Sequence, residues 1–275
     1  MSAPLPLLRS GVAGWLHPRW DRFVYPRPRR ASFHPLQFLA HHLDAVEIPG
    51  SPAPIRPELA RLWLTQVAHN PRFQFTARVP LSFTMERSLD AASIRQWREG
   101  IQPIFDAGKL GCAVMEFSEA FRFSRENRQH LIAVRRALHP LPLVAELRHQ
   151  SWTSAEGRGT LIDYHIGFCN LDIPRQVVAT PPTSFLTWKI GYVMLRGATG
   201  ESHLFSPAEL AGWKTRIARF APFSDTSFVI FGNWKRGKSV VNALQMRSLL
   251  SDIEAQPATL NPAVAATPRL PSRAA

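Results

Sequence analysis

Lysine is scarce in this chain: it makes up only 5 of the 33 basic residues, at positions 109, 189, 214, 235 and 238, and the rest are Arg. A surface built for generic nucleic-acid binding mixes in more lysine. The formal charge of +13 favours anionic partners and argues for solubility, but it carries no information about fold. Cysteine is scarcer still. Cys112 and Cys169 stand far apart in apolar runs (LGCAVM and GFCNLD) with no C-x-x-C pair, so they read as buried free thiols of a reducing compartment rather than as a disulfide or zinc site. No apolar run reaches about 18 residues, which excludes a membrane-spanning helix. The opening MSAPLPLLRS lacks a charged n-region and a long apolar stretch, so no secretory signal is expected and a cytoplasmic location follows. Internal repeats, H-E-x-x-H and the G-x-S-x-G elbow are all missing. Serine-hydrolase chemistry is therefore disfavoured, and no metal or cofactor is expected.

Apolar residues, by contrast, are plentiful: 45% of the 275 residues, with 17 Phe and 8 Trp, enough for one large core or two small ones. Eight short apolar runs recur, at 9–15, 45–49, 73–80, 111–118, 142–149, 167–173, 192–197 and 227–234. Helical patterns lie between them, at 35–42, 57–69, 91–107, 124–138, 154–164, 206–220 and 239–250. Ser93, Ser124 and Ser206 read as N-caps, and Ser206-Pro-Ala-Glu209 as a capping box with Pro at the first helical position. Regular alternation of strand and helix calls for parallel strands joined by right-handed crossovers. Eight such units close into a (β/α)8 TIM-type barrel, with a doubly wound open sheet as the alternative. The expected layout is an N-terminal extension (1–8), one barrel domain (9–255) and a disordered Ala- and Pro-rich tail (256–275), with a Pro- and Thr-rich loop at 179–189.

In a barrel, side chains at the carboxyl ends of the strands point into the ligand face. Read there, the chain offers Trp15, Glu47, Arg78, Glu116, Glu146, Arg148, His149, Asp172, Arg196 and Asn233. Period-2 alternation puts Glu146 with Arg148, and Thr76 with Arg78, on the same side of their strands. Convergence would set three glutamates (47, 116, 146) against three arginines (78, 148, 196). That set is either a self-neutralising ion-pair network or a site where Arg holds an anionic or polyhydroxyl ligand while a carboxylate handles protons. A metal site of His149 with Glu146 and Asp172 is a weaker reading than a hydrogen-bonded His.

Two further patterns need weighing. Arg19, Arg22, Arg27, Arg29 and Arg30 follow the first strand, with Trp20, Phe23 and Tyr25 among them. Basic residues interleaved with aromatics suit phosphate contact plus base stacking; the alternative is a solvated loop pinned by its aromatics. Gly232-Asn-Trp-Lys-Arg-Gly237-Lys238-Ser239 satisfies G-x-x-x-x-G-K-[ST]. No strand remains downstream to complete a P-loop sheet, so the NTPase reading is refused. What survives is a Gly-containing turn with Lys238 at a helix N-terminus, where barrels often bind phosphate.

Several of these stretches together resemble the domain-of-unknown-function 72 (YecE-like) family. They are GVAGWLHPRW with FVYP (11–26), DAVEIPGSP (44–52), FQFTARVP (73–80), VAELRHQSW (144–152), SPAELAGW (206–213) and FGNW…NAL (231–244). The resemblance implies a TIM-type barrel and a shared pocket, but no reaction. Glu47, Glu146, Arg148, His149, Trp152, Arg196, Asn233 and Asn242 match the family pattern. Departures are Pro49–Pro54 after the Val-Glu-Ile, Arg78-Val-Pro80, the stretch 115–119, Leu195-Arg196-Gly197, which lacks the usual His, and Phe231-Gly232-Asn233. Either the substrate differs from that of typical members or this copy only binds. The expectation is therefore a barrel that accepts a phosphorylated or otherwise anionic small molecule. Glu47 or Glu146 would be acid/base, His149 would orient a carboxylate or shuttle a proton, and Trp15, Arg78, Glu116, Arg148, Trp152, Arg196, Asn233 and Lys238 would contact the ligand. The alternative is an inert nucleic-acid or anion-binding module that uses the Arg-rich first loop.

Overall fold

Parity along each apolar run decides which side chains enter the barrel. The computed structural model describes residues 7–18, 20–29, 31–51, 53–174 and 182–254. Its strands are β1 Leu7–Ala13, β2 Ala45–Ile48, β3 Gln74–Arg78, β4 Leu110–Glu116, β5 Leu143–Glu146, β6 Ile166–Asp172, β7 Ile190–Leu195 and β8 Thr226–Phe231. All neighbours pair in parallel, and β8 returns to β1 to close the barrel. The doubly wound alternative is thereby overturned. Leu7 and Leu8 pair with Thr226 and Ser227, so β1 starts two residues before the expected 9–15 run.

Along each strand one set of alternate residues fills the interior: Ala45, Cys112, Val114, Val144, Cys169, Tyr192, Met194, Phe228 and Ile230 pack together there. Their strand neighbours, among them Val46, Ala113, Leu143, Val193 and Val229, join the larger cluster under the helices. Both layers are apolar because parallel strands covered by helices are buried on both faces.

The helices are α1 Trp20–Phe23, α2 Pro35–His42, α3 Pro57–Val67, α4 Leu81–Thr84, α5 Ala91–Asp106, α6 Arg125–Ala137, α7 Ala155–Asp163, α8 Pro207–Ala218 and α9 Lys238–Glu254. Ser124 caps α6 through the Asn127 amide, and Ser206 with Glu209 forms the full capping box of α8. Ser93 is not a cap: Asp90 caps α5 by accepting from the Ser93 amide, because the carboxylate satisfies the N3 donor from outside the helix. No helix among the described residues is long and apolar enough to cross a membrane. The expected tail at 256–275 and part of the 179–189 loop lie outside the described residues.

Candidate functional site

Interior parity continues past the apolar layer to the strand ends, and there the side chains become charged. Glu47 on β2, Arg78 on β3, Glu116 on β4, and Glu146 on β5 with Arg148 two residues on form one connected cluster. Arg78 Nε meets Glu47 Oε1 at 3.0 Å, and its Nη1 meets Glu116 Oε2 at 2.8 Å and Glu146 Oε2 at 2.6 Å. Arg148 Nη2 donates to Glu146 Oε1 at 2.7 Å and also pairs with Glu116. Tyr192 donates its hydroxyl to Glu47 Oε2 at 2.7 Å, and Thr76 Oγ1 lies 3.2 Å from the same hydroxyl. Arg78 Nη2 is buried and has no hydrogen-bond partner among the described residues.

Burial of charge at this depth is costly unless each ion is paired and hydrogen-bonded. Glu146 is 0% exposed. Burial pushes its carboxyl up, but Arg78, Arg148 and Arg196 outweigh that and hold it down at about 2. Burial likewise works against charge on Arg78, and Glu146, Glu47 and Glu116 reverse the effect, so its guanidinium is held charged more firmly than usual. Burial raises the Tyr192 phenol well above its ordinary value, and neighbouring Glu47 adds to this, so it stays a donor. The two flanking guanidiniums thus favour the charged form of Glu146.

A cleft of about 790 Å³ opens above the cluster, lined by Glu47, Arg78, Glu116 and Arg196. Arg196, half-buried, differs from the other two arginines in its guanidinium, which forms no hydrogen bond or ion pair with any described residue; its backbone amide donates to the Asp172 carbonyl at 2.7 Å. Its stem lies over Gly232, where an added Cβ would come within 2.9 Å of Arg196 Cγ. Glycine at this position therefore leaves room for the arginine.

The remaining expected residues are elsewhere. Trp152 is fully buried, donates its indole N–H to the Phe121 carbonyl at 2.7 Å and stacks on that ring, so it packs the core instead of lining the cleft. Trp15 is buried edge-on against Trp63. His149 turns away from Glu146, its Nδ1 meeting Ser151 Oγ at 2.8 Å as the cap of a 3-10 turn at Gln150–Thr153. Asn233 and Asp172 have outward parity. Asn233 donates to Asn242 Oδ1 at 2.9 Å under α9, and Asp172 accepts from the Trp213 indole of α8 at 2.8 Å. Lys238 donates to the Ser202 carbonyl at 2.6 Å. In the first loop, Trp20 and Tyr25 are buried, and Arg29 pairs with Asp21 and lies over the Tyr25 and Phe33 rings. Trp20 and Tyr25 thereby pin the loop and are unable to stack on bases, whereas Phe23 is exposed.

Sequence reasoning missed three groups. Tyr192 shares interior parity with Arg196, a signal that was there to be read. His17 and Trp234, which also line the cleft, sit in loops where no periodicity points to them. Among the described residues no group of three or more His, Cys, Asp or Glu side chains is arranged to hold a metal ion.

Comparison with known proteins now bears on this geometry. The model of the family described as "Protein of unknown function DUF72" matches residues 9–267. A DUF72 family protein from Thermotoga maritima superposes with a TM-score of 0.76 at 24% identity, covering 89% of this chain and 99% of its own. One from Enterococcus faecalis gives 0.76 at 20% identity, covering 89% and 96%. At these identities the likeness speaks to the fold. No curated protein matches.

Proposed function

The chain belongs to the DUF72 family, and we propose that the cleft at its strand ends binds a phosphorylated or otherwise anionic small molecule, with Glu47 as proton donor and acceptor. The observation that carries this reading is Arg196, a half-buried guanidinium that no described carboxylate pairs with, in a cleft whose other guanidinium is engaged by three carboxylates. Its charge acts on the buried Glu146 only through space, so its donors are left open, and an anionic group on a ligand can take them in charge-assisted hydrogen bonds. The cleft also presents the Glu47 and Glu116 carboxylates, which accept from ligand hydroxyls, so a polyhydroxyl body carrying one anionic group fits best. Glu146, itself paired with Arg148, holds Arg78 in place beneath. Glu47, on the cleft wall and already accepting from Tyr192, is left as the carboxylate able to exchange a proton with a ligand.

Calorimetric titration with inorganic phosphate and with a hexose phosphate tests this. Charge-assisted hydrogen bonds contribute about 1.5–3 kcal/mol, so Arg196→Ala should weaken binding by about tenfold or more. Lys238→Ala should leave it unchanged, because that ammonium is tied to Ser202. Equal affinity in Arg196→Ala and the native chain would overturn the proposal. Salt dependence separates it from the nucleic-acid alternative, since a surface phosphate-binding mode weakens steeply with salt.

A further inference from the structure

Beside the charged cluster the same cleft carries an imidazole. His17 follows β1, and its Nε2 lies 2.6 Å from the Ala13 carbonyl oxygen. A carbonyl can only accept, so Nε2 carries the hydrogen. The ring is held by two indoles: it stacks on Trp234 at 5.1 Å with 5° between planes, and tilts against Trp20 at 4.6 Å. Trp20 is itself fixed through its indole N–H to the Trp234 carbonyl at 2.8 Å. Rotation of the imidazole would break the Ala13 bond and the stack together. The other nitrogen, Nδ1, has no partner among the described residues and is not sealed from solvent.

We infer that His17 is a second proton-accepting group of this cleft beside Glu47, its ring locked as the Nε2–H tautomer with Nδ1 left open as a base. The inference deepens the reading of the cleft as a ligand site and rests on it. Ala13 is the register partner of Glu47, and the Gly14 amide donates to the Glu47 carbonyl at 2.9 Å. The loop imidazole is therefore anchored, through the Ala13 carbonyl, to the strand beside the one that carries the carboxylate. Burial lowers the imidazole's pKa, opposed by the Ala13 bond and by the charge of Glu201; Trp20 and Trp234, the rings packed on it, are uncharged. The base form is thus the resting form at neutral pH.

In the step this allows, a proton leaves a ligand O–H or acidic C–H for Nδ1, and the bonding electron pair stays on the ligand atom. The imidazolium that results lies in the field of Glu201, which also lines the cleft. The proton returns to the ligand or to water before release. Two proton-handling groups, Glu47 and His17, then serve one bound molecule.

Nuclear magnetic resonance of the full chain with nitrogen-labelled histidine reads the tautomer directly, with the His17 signals assigned by their loss in His17→Gln. The expected result at neutral pH is a protonated Nε2 and a bare Nδ1, collapsing to a tautomer mixture in Trp234→Leu. A protonated Nδ1, a cationic ring or a mixture in the native chain would overturn the inference. Diethyl pyrocarbonate with peptide mass mapping gives a second reading that needs no variant. His17 should be acylated alongside the exposed His42, and an unmodified His17 beside a modified His42 would also overturn it. Neither result depends on phosphate titration, so failure here leaves the Arg196 reading standing, and the reverse holds too.

Discussion

Protonating Glu146 would leave Arg78 and Arg148 facing a neutral group at the bottom of the cleft, and acid stability should register that. Its folded value of about 2 lies below the ordinary 4.5. A depressed carboxyl contributes stability that is fully present above 4.5 and is lost as pH falls toward 2. The amount is about 3 kcal/mol. Urea unfolding across that acid range should show the native chain losing this stability, while Glu146→Gln starts lower and shows a flatter profile. Removing one partner of a buried pair costs about 3–5 kcal/mol, which sets the size of the neutral-pH deficit. An unchanged midpoint in Glu146→Gln would mean that the two guanidiniums need no anion there. Arg196, by contrast, pairs with no described carboxylate at hydrogen-bonding distance and acts on Glu146 only through space, so Arg196→Ala should cost less stability than Glu146→Gln.

At the level of elements, parity does most of the sorting. Strand ends with inward parity (Glu47, Arg78, Glu116, Glu146, Arg148 and Arg196) meet, while Asp172 and Asn233, one residue out of phase with that set, bind the helices instead. Asp172→Asn should accordingly leave phosphate affinity unchanged, a result that calorimetry can check beside Arg196→Ala. Helix starts are a second element-level test. Ser206 accepts from the Glu209 amide at 3.3 Å and Glu209 reaches back to the Ser206 amide at 2.7 Å, so Ser206→Ala should cost about 1 kcal/mol in thermal or urea unfolding. The strands, helices and inward charges were legible because each rests on local periodicity. Trp152 was not: it follows β5 in an AELRHQSW stretch that reads as one strand-end motif, yet the 3-10 turn begun at His149 swings the indole under Phe121. His17 was hidden for the same reason. Its place is set by Gly14, which takes a φ of +75° and turns the chain back over the barrel mouth, and a turn of that kind carries no period to read.

Over the whole molecule, closure of β8 on β1 gathers residues as remote as Glu47 and Arg196 on one cleft. Sequence order alone gives no distance between them; the eight-unit count does, because a closed barrel has only one carboxyl-end mouth. The net charge of +13 has less to do with the site. The cleft wall holds more carboxylates than guanidiniums, and the first-loop arginines are partly spent on Asp21 and on the Tyr25 and Phe33 rings. A crystal structure of the native chain grown with inorganic phosphate tests the central claim most directly. It should show phosphate on the Arg196 guanidinium inside the cleft, with the bonds of Arg78 to Glu47, Glu116 and Glu146 intact. Arg196 paired with a carboxylate of its own chain, and the cleft without phosphate, would contradict the account.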